Sequence, residues 1–208
     1  MNKLMDQLSQ LNLPAFANNL DKAVEQTPQA REAILSALLY LSSAEIIARK
    51  ERNVAYRIDE AKFQQIQTID TFDFGYNAST QKIKNRYLKL FDTDITTQGL
   101  CVLLVGSSGL GKTHLARALG YHLCQCAQRV LFCTIGKMAL ELTTADSTGD
   151  LKKAFCHYIK PALLIVDEVG YVSLREQESN LVFQIISQRH DKRRSTIVTT
   201  NKSFGESG

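Results

Sequence analysis

Apolar residues are spaced in two different ways along this chain, and the change from one to the other organises it. In residues 1–70 they recur every three or four positions: Leu4, Leu8 and Leu11; Phe16, Leu20 and Val24 after a break at Pro14; then Ile34, Leu35, Leu38 and Leu39. Each set shares one face of a helix. Thr27-Pro28 reads as a helix start, with Thr27 as the cap and Pro28 in the first turn, where no amide hydrogen is needed. Ser42-Ser43-Ala44-Glu45 reads as another, a capping box whose serine and glutamate satisfy opposite orphan amides. The helix it opens carries Arg49, Lys50, Arg52 and Arg57 on one side. No glycine precedes Gly75, which also favours helix.

Residues 68–75 read as an extended connector ending in glycine, and residues 80–91 as a short basic helix with Lys82, Lys84, Arg86 and Lys89. Beyond residue 100 the spacing changes. Apolar runs at 100–105, 130–134, 162–166 and 195–200 alternate with amphipathic helical stretches. Continuous apolar runs are the mark of parallel strands covered on both faces. Their alternation with helices predicts a doubly wound α/β domain. The expected organisation is a small all-helical domain over 1–67 and an α/β domain over 68–208.

Composition narrows the class. With 208 residues, 44% apolar and 22% charged, the chain is globular rather than disordered. Three prolines and eleven glycines exclude collagen-like and low-complexity classes. No stretch approaches the ~18 apolar residues of a membrane helix, and the polar residues of 1–20, Asp6 among them, do not make a secretory signal. Five cysteines, Cys101, Cys124, Cys126, Cys133 and Cys156, match no zinc spacing. They are expected as small buried apolar groups in a reducing, cytoplasmic compartment. The net charge of +4 is uneven: residues 1–70 hold eight Lys/Arg against nine Asp/Glu, and residues 71–208 hold 17 against 12. A basic second part is compatible with nucleic acid without requiring it.

The chemistry begins directly after the first apolar run, at Gly106-Ser107-Ser108-Gly109-Leu110-Gly111-Lys112-Thr113. This is G-x-x-x-x-G-K-T between a predicted strand and a predicted helix. Glycines let the backbone wrap so that several amides face one anion, and the following helix adds its positive dipole end. In such a loop Lys112 reaches the β- and γ-phosphates and the Thr113 hydroxyl ligates Mg2+. A chance match in a chain of this length is on the order of one in a hundred. The third run ends in Asp167-Glu168, which sets two acids at the carboxyl edge of the sheet, where ligands sit in open α/β folds. Asp167 would hold the metal and Glu168 would polarise the attacking water; the alternative is a pair of solvated strand-end carboxylates. The fourth run ends in Thr199-Thr200-Asn201, and Asn201 would either sense a phosphate or begin a turn.

The phosphate loop continues as His114-Leu115-Ala116-Arg117-Ala118-Leu119-Gly120. Asp167-Glu168-Val169-Gly170-Tyr171, residues 181–189 and Thr199-Thr200-Asn201 follow, with Leu11-Asn12-Leu13-Pro14-Ala15 and Thr71-Phe72-Asp73-Phe74 upstream. In these segments, spread over nearly the whole length, the chain resembles the IstB-like ATP-binding proteins. These are helper ATPases of bacterial insertion sequences, similar to the DnaC helicase loaders. The resemblance implies an AAA+ P-loop fold and Mg2+-dependent ATP hydrolysis. It also implies homo-oligomerisation on duplex DNA with ATP, and a transposase partner or, in the loader alternative, a replicative helicase. It assigns nucleotide contact to the phosphate loop and His114, and makes Lys112 and Thr113 the Walker A pair, Asp167 and Glu168 the Walker B pair and Asn201 the first sensor.

Proteins of this kind continue past the sensor strand to an arginine finger, a final strand beside the P-loop strand and further helices. This chain ends at Phe204-Gly205-Glu206-Ser207-Gly208, so it is expected to be truncated there, to leave strand 100–105 at a sheet edge and to hydrolyse ATP poorly. Arg189, Arg193 and Arg194 do not stand where the finger would. The remaining alternatives are a small-molecule phosphotransferase, which the helical N-terminal domain and the paired acids argue against, and a hydrolysis-deficient interaction protein. Lys152, Lys153 and Lys192-Arg193-Arg194 are candidate DNA contacts or solvated surface. Phe72, Phe74 and Tyr76 are candidate adenine-pocket or core residues.

Overall fold

A computed structural model of the chain describes residues 2–26, 28–93 and 95–201. They fall into two compact units, Met1–Ala55 and Tyr56–Gly208.

The first unit holds α1 (Asn2–Gln10), α2 (Pro14–Glu25), a 3-10 turn at Pro28–Ala30 and most of α3 (Arg31–Glu60). Leu4, Leu8, Leu20 and Val24 are buried together, with Ile34, Leu35, Leu38 and Leu39 packed against them. Phe16 shares the α2 stripe but is 48% exposed. The expected Thr27 cap lies outside the described residues. The expected capping box is not a helix start: α3 runs unbroken through it. The Ser43 hydroxyl instead donates back to the Leu39 carbonyl at 2.7 Å. Gln7 on α1 explains why serines stand there. Its Oε1 accepts from Ser42 Oγ at 2.6 Å and its Nε2 donates to Ser43 Oγ at 2.9 Å, a polar tie between α1 and α3 that mid-helix serines can make without ending the helix.

The second unit contains α4 (Ala78–Asp92), α5 (Ile95–Gln98), β1 (Cys101–Val105), α6 (Lys112–Gln125), β2 (Val130–Thr134), α7 (Ile135–Thr148), α8 (Leu151–Ile159), β3 (Leu163–Val169), α9 (Glu176–Asp191) and β4 (Ser195–Thr200). It starts earlier than residue 68 because the segment after α3 packs onto the sheet. Ala61 is fully buried, its carbonyl accepts the Phe132 amide at 2.8 Å, and the Phe63 ring lies 6.2 Å from that of Phe132. The connector 68–75 is not wholly extended, since Ile69–Thr71 forms a 3-10 turn. The basic helix begins at Ala78, where Asn77 Oδ1 caps the Thr80 amide at 2.9 Å.

The four strands are parallel in the order β1-β4-β3-β2. Strand alternation divides the side chains between two helical layers. Val130, Phe132, Leu163 and Ile165 face α6 and the Phe74–Tyr87 layer. Leu131, Cys133, Leu164 and Val166 face α7, α8 and α9. Both faces of β2 and β3 are therefore covered, as their apolar runs predict. On β1 only Val102 and Leu104 pack against the first layer; Cys101, Leu103 and Val105 point outward and are exposed. Among the described strands β1 has β4 as its one neighbour. The cysteines divide likewise: Cys124 and Cys133 are buried, and burial pushes both thiols up to about 12, whereas Cys101 and Cys126 are exposed rather than buried.

Arg189, in the last turn of α9, is fully buried. Its Nη1 donates to the Tyr158, Ile159 and Pro161 carbonyls at 2.8, 3.1 and 3.0 Å. Its Nη2 donates to Ala162 O at 3.5 Å and to Ser195 O, and its Nε to Thr196 Oγ1 at 3.1 Å. One guanidinium thus ties the end of α8 to the first residues of β3 and β4, at the sheet edge opposite the phosphate loop.

Candidate functional site

The loop from Gly106 to Thr113 joins β1 to α6. The Gly106 amide extends the β1–β4 pairing by one bond, to Thr200 O at 3.2 Å, after which the chain turns. Gly109 and Gly111 have φ of +81° and +77°, a region nearly closed to side-chain-bearing residues. A Cβ on Gly109 would meet nothing within 4 Å, while one on Gly111 would stand 2.5 Å from the Phe72 ring. Gly111 is thus fixed by both its backbone and its neighbour. Lys112 opens α6, and its Nζ folds back to donate to Ser107 O at 2.8 Å, which holds the ammonium over the loop it follows.

Two strand ends complete the site. Thr113 Oγ1 donates to Asp167 Oδ1 at 2.9 Å, Thr199 Oγ1 donates to the same carboxylate oxygen, and the Glu168 amide donates to Thr199 Oγ1 at 3.1 Å. Asp167 is 3% exposed. Glu168, next in the strand, is exposed and lies at φ +64°, where the β3–β4 register shifts between Val166 and Val169. That break turns the Glu168 side chain out of the sheet's alternation and into a cleft of about 470 Å³. Ser108, Gly109, Gly111, Lys112, Thr113 and Glu168 line it.

The structure therefore brings Lys112, Thr113, Asp167 and Glu168 together. His114 also lines the cleft, but its Nε2 is engaged by Thr68 O at 2.9 Å and Thr71 Oγ1 at 3.3 Å. Its ring meets Phe72 edge-on at 5.2 Å, so it ties the 68–74 strap to α6. Phe72 and Tyr76 border a smaller recess against Gly109, Leu110 and Gly111. Phe74 is instead buried in the core against Tyr87. Asn201, just past β4, is exposed and not among the cleft walls. Thr199 takes that place. A strand's two-residue period puts residues 199 and 201 on one face, and that was the available signal for Thr199. Gln67, Tyr171 and Arg117 line the cleft too and are not singled out by sequence reasoning; Arg117 is the cationic one. It lies one helical turn beyond Thr113, lines the same cleft, stacks 4.6 Å over the Phe132 ring and donates to Gln64 Oε1 at 3.1 Å.

Away from this cleft, Lys152 on α8, Lys160 just past its end and Lys192 after α9 surround a groove floored by Leu151, Phe155 and Ile159. Arg193 and Arg194, in the adjoining turn, are exposed, as is Lys153. No described helix is long and apolar enough to cross a membrane.

A phosphate loop after β1, an acidic pair on a strand separated from it by β4, and the parallel order β1-β4-β3-β2 define a P-loop domain of the AAA+ type. A family model described as IstB-like ATP binding protein matches residues 6–208, and the chain belongs to that family. The IS5376 insertion-sequence ATP-binding protein of Geobacillus stearothermophilus is 32% identical over 198 residues, which span 95% of this chain and 78% of that protein. The IS21 ATP-binding protein of Pseudomonas aeruginosa is 27% identical over 208 residues, spanning 100% of this chain and 77% of its own length. Among solved structures, the DnaC helicase loader has a TM-score of 0.60 at 26% identity, covering 67% of this chain and 79% of that one. AMPPCP-bound DnaA from Aquifex aeolicus shares the fold, with a TM-score of 0.59 at 19% identity, covering 68% of this chain and 44% of that one.

Proposed function

We propose that this chain binds Mg2+ and ATP in the cleft and hydrolyses the nucleotide as a DNA-associated helper of insertion-sequence transposition. The observation that carries the nucleotide reading is the meeting of the Thr113 hydroxyl and the Asp167 carboxylate at 2.9 Å, beside the Lys112 ammonium and the exposed Glu168. Hard oxygen donors from one hydroxyl and one carboxylate suit Mg2+, which takes much of its remaining shell from water and phosphate. Bound with the nucleotide, the ion supplies neutralisation of charge on the phosphate oxygens. The chain does the rest. The amides of residues 106–113 and the α6 N-terminus hold the anion, and Lys112 leaves Ser107 O for it. Glu168 accepts a proton from water. Asn201, just past the end of β4, orients the γ-phosphate side. The Phe72–Tyr76 recess receives the base.

The DNA-associated part of the reading rests on family membership and on the cationic residues around α8 and the α9–β4 turn. The helical unit up to Ala55 serves in it as a partner- or DNA-binding domain, and a transposase and further copies of the chain are the protein partners. The 26% identity to the DnaC helicase loader supports a second reading, loading of a replicative helicase. ATP turnover, measured with and without duplex DNA in wild type and Lys112→Ala, tests the function. Turnover stimulated by DNA and lost in the variant supports it, and equal ATP affinity in the two proteins refutes the nucleotide site. Co-purification with the element's transposase or with the host helicase separates the two partner readings.

A further inference from the structure

The bonds around Asp167 converge on one residue to which the family resemblance assigns no role. Thr199 is 2% exposed and has a single hydroxyl hydrogen to give. It gives that hydrogen to Asp167 Oδ1, while its oxygen accepts the Glu168 amide at 3.1 Å. Thr113 donates to the same Oδ1 at 2.9 Å. One hydroxyl on β4 therefore governs both acids of β3: it fixes the direction of the Asp167 carboxylate and satisfies the amide of the residue whose left-handed backbone turns the Glu168 side chain into the cleft.

We propose that Thr199 is a positioning residue of this site and that its hydroxyl sets the strength with which Asp167 and Thr113 hold Mg2+; the inference rests on the nucleotide reading above. Without the hydroxyl, Asp167 keeps one of its two donors and is free to rotate, and the part-buried Glu168 amide loses its acceptor. Loss of a hydrogen-bonding partner behind a metal ligand typically costs about 10–100-fold in metal affinity.

The test uses the 208-residue chain as wild type, Thr199→Ser, Thr199→Ala and Thr199→Val. ADP binding is followed by calorimetry across a Mg2+ titration and in excess chelator, and ligand-free melting is recorded for each protein. Thr199→Val, which keeps the shape and excludes water, is expected to need at least about tenfold more Mg2+ for half-maximal ADP binding. Thr199→Ser is expected to stay near wild type, and Thr199→Ala to fall between, since the vacated space admits a water. Affinity in chelator should be the same in all four. A Thr199→Val protein that melts lower but keeps the wild-type Mg2+ midpoint would overturn the proposal in favour of a structural role. If Thr199→Val does not fold, equal midpoints for Thr199→Ala and Thr199→Ser overturn it instead. Wild-type chain that binds no ADP at any Mg2+ concentration overturns the nucleotide reading itself, and this inference with it.

Discussion

Replacing Arg189 by methionine keeps an unbranched apolar stem in place of the arginine side chain and deletes every donor. Of the acceptors left behind, the Tyr158, Ile159 and Pro161 carbonyls lie at or just past the end of α8, where the helix itself provides no donor. At about 1 kcal/mol or more for each stranded buried acceptor, these three cost roughly 3 kcal/mol. The lost cation at a helix C-terminus adds up to about 1 kcal/mol. The total of about 4 kcal/mol is a large share of the ~5–15 kcal/mol that a domain has. In a unit of this size it corresponds to a fall in Tm of roughly 8–16 °C. Burial draws the Arg189 guanidinium down to about 10, so its desolvation opposes part of this gain; the bonds outnumber that penalty because every N–H-bearing nitrogen is engaged. Urea unfolding followed by far-UV circular dichroism measures the loss, with Arg189→Lys as the companion variant. Lysine keeps the charge but cannot reach α8 and both strands at once, so it should fall between. A loss in Arg189→Met within the ~0.5 kcal/mol typical of surface changes would refute the argument.

Glu168→Gln should retain ATP while turnover drops about a hundredfold or more; loss of ATP affinity in the same variant would make Glu168 a ligand-holding residue instead. Gly109→Ala and Gly111→Ala both force alanine to positive φ, at about 1–2 kcal/mol, but only Gly111→Ala also meets Phe72, so it should melt lower and bind nucleotide more weakly than its neighbour; equal behaviour would show that the strap yields freely. Burial, partly offset by Glu141, holds the His157 imidazole below its ordinary value of 6.5. The folded form therefore resists a proton that the unfolded chain accepts: the contribution is full above pH 6.5 and declines as pH falls toward the folded value. His157→Gln should flatten the fall in stability just below pH 6.5, and an unchanged profile would exclude His157 as a source.

Legibility from sequence followed the strength of local constraint. The phosphate loop was readable because its glycines answer to backbone geometry, and β2 and β3 because burial on both faces removes every polar residue until the strand ends. The β1 run reads the same way, yet its outward face is exposed, since apolar content cannot say whether a layer covers it. Ser42 and Ser43 misled because their partner, Gln7, is distant in sequence, and a capping motif is judged from neighbours alone. Thr199 was hidden for the same reason: its meaning lies in a carboxylate on another strand. The strap reads as extended because nothing local announces His114 Nε2 as the partner of Thr68 and Thr71.

The left-handed backbone at Glu168 has a consequence for how position 168 would behave under selection. Glycine or asparagine fits that conformation better than glutamate by about 1–2 kcal/mol, and neither can act as the base. A library randomised at this position and sorted for folded protein alone should enrich the Glu168→Gly and Glu168→Asn variants over the parent, whereas sorting for turnover should return glutamate. Under the proposed role of Glu168, drift that favours the fold would erode the chemistry at this residue, so the two sorts separate what the backbone prefers from what the reaction needs.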